Sequence, residues 1–208
     1  MALDFVVAAF VTLFIVVDPL GLVPAFLAVT EGLPAAARRQ VAVRACIIAM
    51  LILFGAALGG DLLLTTLGIG LPAFRIAGGL LLFSIASEMV FGVRLERQSR
   101  QAEDAVEEHV RNVAAFPLAI PLMAGPGAIT ATVLLAGQAA GRPDRFGLLF
   151  GAIVAVIALC LAVYLAATRI ARTLGITGNV VLARLLGVLL AALAVQYVID
   201  GIRAVLAA

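Results

Sequence analysis

One acid stands in the middle of an apolar stretch. Asp18 lies inside a run from about Phe5 to Val29, where a charge costs at least ~2.5–3.5 kcal/mol on insertion scales. Such a residue faces the interior of a helix bundle and has a partner. Two roles fit it. Asp18 is either a contact for a coupling ion, a proton or a substrate ammonium, or a helix cap, because Asp followed by Pro is favoured at a helix start. Around it runs Asp18-Pro19-Leu20-Gly21-Leu22-Val23-Pro24. The second half answers with Pro117, Pro121, Gly125, Pro126 and Gly127, inside a run from about Val113 to Gly137. Proline removes a backbone donor and clashes with the preceding turn, so both apolar segments are broken near their middles. In a bilayer such breaks are tolerated only where protein buries them or where they line a cavity. Gly21, Gly125 and Gly127 let backbone approach a neighbour or a small ligand. Half-helix starts present N–H groups that suit a carboxylate, and half-helix ends present carbonyls that suit an ammonium or a cation. A small zwitterion, such as a free amino acid, matches both ends. The plain alternative is a pair of rigid packing kinks.

The remaining polar residues carry weaker signals. Thr130 follows the second break and is the best hydroxyl for a substrate contact, although hydroxyls in membrane helices commonly bond to their own helix, as Thr12, Thr132, Ser84 and Ser87 are expected to. Arg75 and Arg184 sit about one turn inside their helices. Snorkelling explains them, and their matched placement also suits a gating salt bridge. Gly78, Gly79 and Gly187 read as close-packing points between helices. Glu88 and Asp200 are expected as solvated helix ends. Cys46 and Cys160 fall inside apolar spans and read as free thiols used as small hydrophobes. His109 stands alone in a charged loop. No metal-ligand spacing is present, no cofactor is expected, and one central acid without a nucleophile set does not make an enzyme. No dense basic run supports nucleic-acid binding.

The elements that position these residues follow from composition. The chain has 208 residues, 64% hydrophobic and 12% charged, against roughly 45–50% and about 25% in soluble domains, which excludes a water-soluble fold. Apolar stretches near 5–29, 41–59, 71–92, 113–137, 147–168 and 180–202 predict six spanning helices of about 20 residues each. The start, Met1-Ala-Leu-Asp4, lacks a basic n-region, so no cleaved signal peptide is expected. The third and sixth spans align without a gap: Phe74-Arg75-Ile76-Ala77-Gly78 lies over Ala183-Arg184-Leu185-Leu186-Gly187, and Gly92-Val93-Arg94 over Gly201-Ile202-Arg203. A two-residue shift places Asp18-Pro19-Leu20-Gly21 over Gly125-Pro126-Gly127-Ala128. Three spans per repeat is odd, so the second repeat enters from the opposite side. The expected fold is an all-α polytopic membrane protein with two inverted three-helix repeats, 1–93 and 113–208. Segment 94–112 is a solvated cytoplasmic linker without chemistry of its own. Every basic residue is Arg. Arg38, Arg39 and Arg44 flank the first loop, Arg94, Arg97, Arg100 and Arg111 the third, and Arg169 and Arg172 the fifth, against Arg75, Arg142, Arg145 and Arg203 opposite. This bias places the odd loops in the cytoplasm and both termini outside.

At these motifs the chain resembles the MarC family of bacterial inner-membrane proteins, grouped with small neutral amino acid transporters. The likeness runs from about Phe10 to the C-terminus. It rests on Asp-Pro-Leu-Gly-Leu-Val-Pro at 18–24 with Phe26, on Ala73-Phe74-Arg75-Ile76-Ala77-Gly78-Gly79 with Leu81-Leu82-Phe83, and on Phe116-Pro117-Leu118-Ala119-Ile120-Pro121 with Ala124-Gly125-Pro126-Gly127-Ala128-Ile129. The resemblance implies six spans in two inverted repeats, an inner-membrane location and transport of small neutral amino acids such as glycine and alanine. It also implies that Pro19, Gly21, Pro24, Pro121, Gly125, Pro126 and Gly127 are motif positions around the broken helices. The family name records an association with antibiotic-resistance loci, from which drug export is only a weak inference. The sequence therefore predicts a secondary transporter working by alternating access, with a proton or another cation as coupling partner. A passive channel or facilitator is the rival reading. The glycine-rich third and sixth helices are suited to pack within one protomer or between two copies in a homo-oligomer.

Overall fold

The computed structural model describes residues 2–107 and 112–207, all helical apart from short turns and one irregular segment. His109 and Arg111, expected in the charged linker, lie outside the described residues. In chain order the elements are α1 (Ala2–Val17), α2 (Val23–Val29), α3 (Ala35–Thr66), α4 (Leu71–Phe91), α5 (Val93–Glu107), the proline-rich segment Ala114–Met123, α6 (Pro126–Ala139), α7 (Pro143–Leu165) and α8 (Ala167–Leu206). Proline within the first turn of α2, α4, α6 and α7 marks their starts, where its missing N–H is not needed. Gly92, at φ 83, ends α4 in a left-handed conformation that glycine adopts without steric cost.

Among the described residues, four helices are long and apolar enough to cross a membrane: Ala35–Thr66, Leu71–Phe91, Pro143–Leu165 and Thr177–Leu206. The pair Ala114–Met123 and Pro126–Ala139, bent by 57°, makes a fifth. The apolar part of α1, Leu3–Val17, falls short of the roughly 20 residues a span needs, and α2 adds seven more across a break. Several boundaries differ from the sequence reading. The helix expected at 41–59 runs from Ala35 to Thr66, about 48 Å at 1.5 Å per residue, and so outruns the bilayer core at both ends. The last helix begins at Ala167 and kinks at Gly175, at φ 61. Most of the linker expected at 94–112 is helical, as part of the 15-residue α5 (Val93–Glu107).

The bundle is packed with small residues inside and large ones outside. Along α3 the buried positions Ala42, Ala45, Ala49, Leu53, Ala57 and Gly60 form one stripe at helical spacing, while Leu51, Leu58 and Leu62 are well exposed. This distribution suits lipid on the outer face, because small interfacial residues let helices approach where no water drives them together. The closest approach is between α4 and α8, which run antiparallel. A side-chain carbon on Gly79 would stand 2.7 Å from the Ala194 carbonyl oxygen, and one on Gly187 would stand 3.1 Å from that of Ala86. The two glycines are therefore required by backbone contact.

Two arginines occupy matching places. Arg38, in the first turn of α3, directs Nη2 at the Thr30 carbonyl that ends α2, 3.5 Å away. Arg145, in the first turn of α7, directs Nη1 at the Gln138 carbonyl near the end of α6, 3.4 Å away. In the register that lays Asp18 over Gly125, Arg145 lies over Arg38.

Candidate functional site

Asp18 closes α1. Its amide donates to the Phe14 carbonyl at 2.9 Å, and its own φ is 55, a left-handed geometry that Asp tolerates better than most residues. Its Oδ1 accepts the Gly21 amide proton at 3.1 Å, holding the Pro19–Gly21 turn against the end of the helix. The capping half of the sequence reading is corrected here: the residue at the start of α2 is Leu22, which makes no side-chain capping bond. An Asp–Pro pair serves a turn as readily as a helix start. Asp18 is only 2% exposed, and its Oδ2 has no hydrogen-bond partner among the described residues. Pro19 and Gly21 are buried with it, whereas Pro24, in the first turn of α2, is exposed.

The second break is built differently. Phe116 and Ile120 are extended within Ala114–Met123, as residues preceding proline are driven to be. Gly125 is extended and Pro126 opens α6. The first bond of α6 joins the Ile129 amide to the Gly125 carbonyl at 3.0 Å. The amides of Gly127 and Ala128 therefore precede it and belong to the orphan donors of a helix start. The two breaks meet. A side-chain carbon on Gly127 would stand 3.2 Å from Val16 Cγ1 and would overlap Ile85 Cδ1, so the last turn of α1 abuts the first turn of α6.

Beside that contact lies a cavity of about 230 Å³, walled by Val16 and Ile85, by Pro121, Leu122, Met123 and Gly125–Ala128, and by Arg94, Arg97, Gln98 and Gln101 of α5. Arg94 is 6% exposed and Gln98 is 4% exposed. Arg94 donates from Nη2 to the Val16 carbonyl at 2.5 Å, covering a carbonyl that the end of α1 leaves open. Its Nη1 and the Oε1 of Gln98 have no hydrogen-bond partner among the described residues. Burial pulls the Arg94 pKa below its usual value, and the nearby Asp18 carboxylate opposes that pull; guanidinium nonetheless stays charged in proteins. Arg97 pairs with Glu88 at 2.8 Å, so Glu88 is not the lone solvated end expected of it.

The expectation of a solvated linker is thus corrected for one face of α5. Arg94, Gln98, Ala102 and Ala105 are buried at a spacing that puts them on one face of α5. That stripe was the available signal, and the surrounding Glu, Arg and Gln concealed it. Of the residues singled out by sequence, Pro121, Gly125, Pro126 and Gly127 line the cavity, and Asp18, Pro19 and Gly21 form the turn that follows Val16 and Val17. Thr130 is buried in α6, where its methyl would stand 2.7 Å from a side-chain carbon added to Gly78, so it faces α4 and not the cavity. Thr132 bonds back to the Ala128 carbonyl at 2.7 Å. Arg75 is half-buried and Arg184 exposed, and neither borders the cavity. Gly79 and Gly187 belong to the α4–α8 seam. Cys46 and Cys160 are buried free thiols.

Comparison with known proteins agrees along nearly the whole chain. A UPF0056 membrane protein of Archaeoglobus fulgidus is 39% identical over 201 residues, covering 96% of this chain and 93% of its own. The UPF0056 membrane protein YhcE of Escherichia coli is 36% identical, covering 94% and 91%. YvbG of Bacillus subtilis is 34% identical, covering 98% and 96%. No solved structure matches. The family described as MarC family integral membrane protein matches residues 3–206. With the motifs, the lipid-facing helices and these relatives in agreement, the chain belongs to the MarC family of integral membrane proteins.

Proposed function

We propose that this protein is a secondary transporter of small neutral amino acids, of the glycine and alanine type, which works by alternating access in the inner membrane and couples to protons. The observation that carries the reading is the contact between Val16, in the last turn of α1, and Gly127, in the first turn of α6. A helix end and a helix start, each interrupted inside an apolar segment, converge beside one partly open cavity. That space offers opposite dipole poles, as the two ends of a zwitterion require. The names of the relatives reported above give no substrate, so the substrate class rests on this chemistry and on the family resemblance.

The repeat reading has support of its own. Counting α1 with α2 as one broken span gives six. The antiparallel α4–α8 pair then joins the third span of one repeat to the third of the other, and Arg38 and Arg145 close equivalent half-helices. The inverted arrangement, with odd loops cytoplasmic and both termini outside, follows from three spans per repeat and from the arginine distribution. Asp18 is the acid nearest the centre of the fold and the candidate proton carrier.

The test is uptake of labelled glycine and alanine into proteoliposomes, with and without an imposed proton gradient. Gradient-dependent accumulation, with trans-stimulation by unlabelled substrate, is the expected result. Uptake without trans-stimulation would identify a passive pore. No uptake by correctly inserted protein would remove the amino acid assignment.

A further inference from the structure

We infer that Arg94 and Gln98 of α5, with the first turn of α6, form the recognition site for the charged groups of the substrate: Arg94 Nη1 takes the carboxylate and Gln98 Oε1 takes the ammonium. This assignment rests on the transport reading above and deepens it. Arg94 is held by one arm only. Nη2 is fixed on the Val16 carbonyl, and Nη1 is buried without a partner among the described residues, in a side chain that borders the cavity. A guanidinium so anchored is pre-oriented for a planar anion. Leaving a buried donor unsatisfied is costly, and a bound carboxylate would remove that cost.

Three further features agree. The Gly127 and Ala128 amides precede the first bond of the 14-residue α6 and border the same cavity, which adds a helix start of positive polarity. Gln98 Oε1 is a neutral acceptor, buried and unpartnered in the same wall, and suits an ammonium without demanding net charge from the ligand. The other charged groups near Arg94 leave its Nη1 without a direct contact. Arg97 is paired to Glu88, and Asp18 spends Oδ1 on Gly21 and makes no ion pair with Arg94 within 4 Å. At about 230 Å³ the cavity is smaller than the roughly 300–1,000 Å³ of drug-sized sites, and besides Arg97 and Gln101 its remaining wall, with Val16, Ile85 and Met123, is apolar. A short aliphatic side chain fits that remainder.

The experiment uses the full chain in proteoliposomes and in detergent, with wild type, Arg94→Lys and Gln98→Leu. Arg94→Lys keeps the charge and a donor for the Val16 carbonyl but loses the fork, and Gln98→Leu keeps the packing volume. Labelled alanine uptake is competed with unlabelled alanine, alaninamide, which lacks the carboxylate, and propionate, which lacks the amine. In wild type, alanine is expected to compete at least about tenfold better than either analogue, as the loss of one charge-assisted contact implies. Arg94→Lys is expected to raise KM for alanine about tenfold or more with a smaller change in maximal rate. Gln98→Leu is expected to narrow the gap between alanine and propionate, a change that a purely structural role would not produce. Wild-type KM in both variants, or alaninamide competing as well as alanine, would overturn the assignment. Should wild type take up no amino acid, the transport reading fails separately. The site is then judged by the melting temperature in detergent with added propionate: a rise lost in Arg94→Lys keeps a carboxylate site there, and no rise in wild type removes it.

Discussion

The Oδ1 atom of Asp18 accepts the Gly21 amide proton at 3.1 Å, and its Oδ2 occupies the volume that a side chain on Gly21 would need. The carboxylate therefore does structural work with one oxygen and leaves the other unpartnered. This structural role and the proposed proton-carrying role are separable by mutation. Gly21→Ala forces the carboxylate out of the turn and is expected to destabilise the protein by about 1–3 kcal/mol, as overpacking does. Asp18→Asn keeps an oxygen for the Gly21 amide while removing the ionisable group. Its melting temperature in detergent should stay near that of wild type, and gradient-driven accumulation should be lost. An Asp18→Asn variant that still concentrates substrate on a proton gradient would reduce Asp18 to a turn-forming residue.

The junction of the two breaks gives a second prediction. Gly127 is confined by Val16 on one side and by the tip of Ile85 on the other. Gly127→Ala narrows the cavity mouth without touching a charged group. It is expected to raise the half-saturating concentration about tenfold, equivalent to roughly 1.4 kcal/mol. Because the closer obstacle is the far end of Ile85, the double variant Gly127→Ala with Ile85→Ala should recover most of the loss. Failure of that rescue would show that the restriction comes from α1 and not from the α4 side chain.

The parts of this site that sequence reading reaches are those marked by backbone chemistry. Pro19, Pro121, Gly125 and Pro126 announce interruptions because proline and glycine change what the main chain can do. Gly79 and Gly187 announce close packing because nothing else explains them within apolar helices. Arg94 and Gln98 stay hidden for the opposite reason. Their side chains are ordinary for a charged connecting segment, and only the tertiary fold takes one face of α5 out of water against α2, α4 and the Ala114–Met123 segment. Asp18 is half legible: its burial follows from the surrounding apolar run. Whether Asp–Pro closes one helix or opens the next depends on a φ of 55 that the residue type permits without requiring. The two breaks also differ in detail, because Asp18 ends α1 whereas Gly125, aligned with it in sequence, begins α6.

The α4–α8 seam predicts a contrast between glycines. Gly79→Ala would push a methyl against the Ala194 carbonyl, which is backbone and yields only if the helices separate. A loss of about 1–3 kcal/mol is expected, read as a lower unfolding midpoint in detergent. Gly55, in α3, has nothing within 4 Å of its open face. Gly55→Ala should be neutral or stabilising by roughly 0.5–1 kcal/mol, the helix-interior difference between the two residues. Equal destabilisation by both substitutions would mean that the backbone contact at the seam does not distinguish Gly79 from Gly55.

The paired arginines test the inverted repeat directly. Arg38 and Arg145 reach back to the carbonyl ends of α2 and α6 from equivalent places in the two halves. In an inverted pair these equivalent places lie on opposite membrane surfaces. In a direct repeat they would lie on the same one. Cys46 and Cys160 are buried, so a background with both replaced by Ala gives a clean labelling host. Arg38→Cys is expected to react with an impermeant thiol reagent only from the cytoplasmic side, and Arg145→Cys only from outside. Arg38→Cys removes two long hydrogen bonds, to Thr30 and Thr168, and Arg145→Cys removes one, to Gln138, together with a contact over the Phe5 ring; each is worth at most about 0.5–1.5 kcal/mol, so both proteins should insert and remain folded. Labelling of both positions from one side would dismiss the inverted arrangement and with it the symmetry that alternating access needs. Opposite labelling with the sides exchanged would keep the repeat and reverse the orientation drawn from the arginine bias.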